Sequence, residues 1–158
     1  GLRSGRHVVS GRYGGFGGEC RCVLHRPTCN WGRTDADGTV ISEEHLHIPD
    51  HTEVYEINGP YFFGIATKFE EVMAQLGDRP KVRIIRMRKV PFIDSTGIHN
   101  LESLCKMSQK EKITVVLSGV NTKVHQVLEK ADFYTLLGKE NICPNINVAL
   151  ERAHKLVE

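Results

Sequence analysis

No apolar run in this 158-residue chain approaches the roughly 20 residues that a membrane-spanning helix needs. Its first 18 residues hold no continuous apolar segment of the kind a secretory signal requires, so the chain as it stands is expected to be soluble. Neither sign of charge is in excess: 21 Lys and Arg against 19 Asp and Glu leave +2, too little to argue for a nucleic acid or an anionic membrane as partner. Both common phosphate-binding patterns are missing, the G-x-x-x-x-G-K-[ST] loop and a G-x-G-x-x-G after a strand. Gly14-Gly15-Phe16-Gly17-Gly18 precedes no strand or helix pattern, so a nucleotide-binding regulatory module has no motif behind it. Five cysteines are too few and too unevenly placed for a disulfide framework and suit a reducing compartment. Cys20, Cys22 and Cys29, with His25 between them, depart from the paired C-x₂₋₄-C spacing of structural zinc modules. His45 and His47 would share one face of a strand with no evident third ligand. No metal and no cofactor are expected.

What is present divides near Gly38. Residues 1–38 are rich in Gly and Arg, contain no Lys and show no regular hydrophobic period, which predicts an irregular or disordered arm, even an out-of-context segment. Six arginines against three acids, with no repeated motif, are a weak basis for RNA contact. From residue 39 to 158 the pattern alternates between strand and helix. His45–Ile48 is a short strand candidate, and Glu53–Ile57 alternates polar and apolar residues as a half-buried strand does. Asn58-Gly59-Pro60 then bends the chain before Tyr61-Phe62-Phe63, and Ile65, Phe69, Val72, Met73 and Leu76 form one helical stripe ended by Gly77. Further strands are expected at Val82–Met87 and Ile113–Ser118. Helices are expected after Asp94 with Ile98, Leu101, Leu104 and Cys105 inward, and after Asn121 with Val124, Val127, Leu128 and Ala131 inward. A last one carries Ile146, Ala149, Ala153 and Leu156. Strand–helix–strand units at this spacing predict an α/β fold, a central mostly parallel sheet of four to five strands packed against about four helices.

The most informative stretch is Val90-Pro91-Phe92-Ile93-Asp94-Ser95-Thr96-Gly97, where a strand ends in an acid, two hydroxyls and a glycine just before a helix. Asp94 or Ser95 suits the N-cap, leaving free N–H groups and a partial positive charge at the helix start. A hydroxyl held there is a candidate phosphoacceptor or docking point, although a plain capped turn needs the same residues. The loop lies at the carboxyl end of a strand, where open α/β sheets usually place their sites. Ser95 and Thr96 have no base close in sequence, so an enzyme is not expected.

Residues 45–158 resemble a STAS domain, the sulfate transporter and anti-sigma factor antagonist family. The branch they most resemble is the cytosolic C-terminal domain of bacterial SulP-type anion transporters. The resemblance rests on Glu53-Val54-Tyr55-Glu56-Ile57-Asn58-Gly59-Pro60-Tyr61-Phe62-Phe63-Gly64 and on the Ile93-Asp94-Ser95-Thr96-Gly97 loop. The strand Ile113–Ser118 with Gly119, and Leu128-Glu129-Lys130-Ala131-Asp132-Phe133, match as well. The aromatic stretch marks the transporter branch, whereas the loop is shared with anti-sigma antagonists. The resemblance implies a regulatory or protein-interaction module of a secondary anion transporter of sulfate, bicarbonate or dicarboxylate, at the cytoplasmic face of the bacterial inner membrane. The implied partners are the membrane domain of the same transporter, a cytosolic regulatory protein, and a second copy through a transporter homodimer, with no nucleic acid. In antagonists the hydroxyl before the loop glycine accepts a phosphate. That residue is Thr96 here, where serine is common, with Ser95 beside it. The implied partner- or anion-binding surface comprises Asp94, Ser95, Thr96, Gly97, Asn100 and Lys123. The alternative is a stand-alone antagonist switched by Ser/Thr phosphorylation.

Overall fold

A computed structural model describes residues 8–12, 19–24, 49–58 and 80–158. Four parallel strands form its centre: β3 (Thr52–Asn58), β4 (Val82–Lys89), β5 (Thr114–Ser118) and the two-residue β6 (Ile142–Cys143). Their register runs Glu53 opposite Arg83, Ile84 opposite Val116 and Ser118 opposite Cys143. Among the described residues four helices accompany them: α1 (Ser95–Lys110), α2 (Thr122–Lys130), α3 (Phe133–Leu137) and α4 (Ile146–Val157).

The N-terminal arm corrects one expectation. β1 (Val8–Arg12) and β2 (Glu19–Leu24) are strands within the region read as irregular, and they continue the sheet antiparallel beyond β3. β1 pairs with β2 in a local hairpin, and β2 joins the sheet through β3, a partner far along the chain. The strand candidate at 45–48, the aromatic segment 61–63 and the helical stripe at 65–76 lie outside the described residues.

The sheet is covered on both faces, which is why β5 reads as a nearly unbroken apolar run. On one face Tyr55, Ile85, Met87, Val115 and Leu117 pack with Leu101, Leu104 and Cys105 of α1, Val124 and Leu128 of α2, and Phe133 of α3. On the other, Val54, Val82, Ile84 and Val116 pack with Ile146, Ala149, Leu150 and Ala153 of α4. Cys105 is thus the small buried hydrophobe its helical position predicts.

Beyond the helix expected after Asn121 stands a further short helix, α3. Asp132 enters the left-handed region at φ 61°, so the chain turns after Lys130 and restarts at Phe133. Gly138 closes α3 at φ 91°, where an added Cβ would lie 2.9 Å from the Glu140 carboxylate.

Candidate functional site

The Asp94 loop joins β4 to α1 at the carboxyl edge of the parallel sheet. Asp94 takes an extended conformation, and its side chain accepts a hydrogen bond of 2.7 Å from the Gly97 N–H. Its carbonyl accepts from the Ile98 N–H at 2.9 Å, starting the helical ladder. This is the N-cap arrangement expected from the sequence. Ile93 and Gly97 turn inward and are buried, whereas Ser95 and Thr96 face solvent. The Asp94 carboxylate offsets part of the partial positive charge of the helix start, and the first turn of α1 itself holds no acidic side chain.

Tertiary structure builds the rest of the surface. Asn121 caps α2 by accepting from the Val124 N–H at 2.8 Å. The same side chain donates its amide hydrogens to the carbonyls of Val90 and Pro91, at 3.0 and 3.2 Å. One residue therefore starts α2 and ties down the loop that leads into α1, so the two helix starts share one edge. Lys123, in the first turn of α2, carries its ammonium 6.0 Å from the centre of the Phe92 ring, a cation–π distance. Phe92 is 40% exposed, so the pair sits on the surface beside the capped loop.

Of the residues singled out in the sequence, Asp94, Ser95, Thr96 and Gly97 form the loop itself, and Lys123 is brought against it through Phe92. Asn100 lies one turn further along α1 and is half-buried. Sequence reasoning missed Phe92 and the double role of Asn121. An aromatic directly after Pro91 in a loop was the available signal for the first. The second depends on a contact across 30 residues. Among the described residues no group of three His, Cys, Asp or Glu side chains could hold a metal. No helix among them is long and apolar enough to cross a membrane.

This geometry meets a family pattern: the STAS domain profile matches residues 45–149. The chain belongs to the STAS domain family. A sulfate transporter family protein from Wolinella succinogenes shares 38% identity, with a TM-score of 0.65 over 74% of this chain and 95% of that one. The SulP transporter STAS domain of Vibrio cholerae is also 38% identical, at a TM-score of 0.64 over 70% of this chain and 86% of the other. Sulfate transporter 1.2 of Arabidopsis thaliana is 34% identical over 84 residues, which is 52% of this chain and 13% of the plant protein. The homology thus runs to STAS domains of SulP transporters, and the chain spans only a small part of the curated relative's length.

Away from the loop, this STAS domain buries a polar cluster under the last turns of α1. Arg83 donates to the Ser108 hydroxyl at 2.6 Å, and its guanidinium stands 5.6 Å from the Tyr55 ring centre. Ser108 passes its own hydrogen to the Leu104 carbonyl at 2.8 Å, and the Tyr55 hydroxyl donates to Glu53. Burial raises the Glu53 carboxyl above its ordinary value, opposed by the Tyr55 hydrogen bond and the Arg83 charge. Burial likewise pushes the Cys105 thiol up to about 12 and the Cys143 thiol up to about 11, which leaves both far from thiolate reactivity.

Proposed function

We propose that this STAS domain is the regulatory, protein-docking part of a SulP-type secondary anion transporter, in which residues 39–158 form the domain and residues 1–38 an arm whose strands β1 and β2 extend its sheet. The observation that carries this reading is the single surface made by the capped Asp94–Gly97 loop, exposed Ser95 and Thr96, and the Phe92–Lys123 pair. An exposed patch with an aromatic anchor, a cation and two capped helix starts suits recognition of another protein surface better than catalysis. Homology to transporter STAS domains supports the membrane domain of the same transporter as one partner, at the cytoplasmic face, and a cytosolic regulator as another. Sulfate is the anion named for the plant relative and the first to test. Bicarbonate and dicarboxylate are the other classes. The same homology weighs against the stand-alone antagonist.

Thr96 is the proposed switch, with Ser95 as second acceptor. A phosphate there would add about −1.5 to −2 charges beside the Asp94 carboxylate, on a surface where Lys123 supplies a cation, and so make the patch negative. Asn100 borders the patch as a secondary contact. The test is uptake of labelled sulfate by the transporter that contains this chain, carrying Thr96→Glu or Phe92→Ala with Lys123→Glu. Both variants are expected to lower uptake at unchanged protein level in the membrane. Uptake equal to the parent's in both would overturn the docking role of this surface.

A further inference from the structure

The Phe92–Lys123 pair joins two segments that lie about 30 residues apart in the chain, and one side chain links them. Asn121 donates to the Val90 and Pro91 carbonyls at 3.0 and 3.2 Å, and it accepts from the Val124 N–H at 2.8 Å. Phe92 follows Pro91 directly, and Lys123 stands two positions beyond Asn121. The tie from Asn121 to Pro91 therefore sets where the ring and the ammonium meet, 6.0 Å apart. Pro91 has no N–H to give, so its carbonyl is the backbone handle at that position.

The demand on this side chain is stricter than capping. Asp, Ser, Thr and Asn all cap a helix by accepting at an oxygen, and α1 is capped by the Asp94 carboxylate. Tying the loop needs, besides that oxygen, two hydrogens for two carbonyls. An ionised Asp has none, and a Ser or Thr hydroxyl has one, on a shorter arm. The amide of Asn combines an acceptor with two donors at this reach, whereas Gln carries the same amide one methylene further out.

We propose that Asn121 is a positioning residue of the docking surface: its two amide donors, beyond its cap, assemble the Phe92–Lys123 pair that a partner meets. Its bearing on transport rests on the docking role proposed for this surface, whereas the assembly of the pair does not. The signature is the ring-current shift that Phe92 imposes on the Lys123 ε-methylene protons, measured by NMR in the 158-residue chain. In the parent, Phe92→Leu is expected to return that resonance to the position of an exposed lysine. In Asn121→Asp and in Asn121→Ser it is expected there already, and Phe92→Leu moves it no further. Both variants keep a cap, so the Val124 amide stays helical and the rest of the spectrum folded. They differ in charge, so their agreement separates the lost donors from a new carboxylate near Lys123. A Lys123 resonance that still responds to Phe92→Leu in either variant, or does not respond in the parent, overturns the proposal. Loss of the fold in both variants does so too, since Asn121 would then serve stability alone. In the transporter that contains this chain, Asn121→Ser is expected to lower sulfate uptake as far as Phe92→Ala with Lys123→Glu does. Normal uptake in Asn121→Ser beside lowered uptake in the pair variant overturns the positioning role and spares the docking surface. Normal uptake in both overturns the docking role, and the Lys123 resonance then decides the positioning role by itself.

Discussion

At its first turn α1 is fastened by a half-exposed hydrogen bond that spans three residues, from the Gly97 N–H to the Asp94 carboxylate. At its last turn it is fastened by a buried one that spans 25 residues, from Arg83 of β4 to Ser108. The first bond defines where the helix begins and leaves Ser95 and Thr96 in solvent. The second fixes how the helix lies on the sheet, and it draws in Tyr55, stacked by the guanidinium, and Glu53, opposite Arg83 in the register. A surface used for recognition can be built from local chemistry, because water completes its unsatisfied groups. A buried anchor needs partners from several strands, because nothing else can satisfy a charge there.

The comparison can be broken by mutation, and the largest effect belongs to the buried end. Arg83→Leu removes the cation beside Glu53 and leaves Ser108 without its donor, so it is expected to cost roughly 3–5 kcal/mol. Thermal unfolding followed by circular dichroism would register this as a midpoint lower by about 10 °C. Asp94→Ala removes only a cap and is expected to cost about 1 kcal/mol, a few degrees in the same measurement. If the two variants lose equal stability, the distinction between a local and a tertiary anchor fails.

A third effect is smaller and appears as a dependence on pH. Because burial raises the Glu53 carboxyl in the folded state, the fold holds that proton more tightly than the unfolded chain does. The associated stability is fully present below the ordinary value of 4.5 and is lost as pH rises through the folded value. This sign is the reverse of the usual salt-bridged carboxylate. Glu53→Gln cannot titrate, so its stability relative to the parent is expected to improve as the pH is raised above 4.5. Urea unfolding of both proteins across that range measures it. A gap that stays constant or moves the other way would show that the Arg83 charge and the Tyr55 hydrogen bond outweigh burial.

The strand at Thr114 was legible because its apolar run is nearly continuous, and the strand at Val82 because Val82, Ile84, Ile85 and Met87 keep apolar residues between its arginines. The starts of α1, α2 and α4 were legible from local patterns, and Asp94 and Asn121 act as the caps they were taken for. Asp94, Ser95 and Thr96 stand out for the same reason: capping and hydroxyl exposure involve neighbours within one turn. The strand nature of 8–12 and 19–24 was hidden, since this hairpin joins the sheet through the pairing of 19–24 with β3, far along the chain. The joining of Lys123 to Phe92 was hidden too, as was the second role of Asn121, because each spans about 30 residues.

By itself, then, the order of residues determined the α/β class, the helix starts and the identity of the loop, all of which follow from interactions within a few positions. Only the tertiary structure decided that two helix starts share one edge, that Arg83 anchors the far end of α1, and that Lys123 meets Phe92. Each of these depends on the geometry of the assembled sheet, which sets distances between residues far apart in the chain.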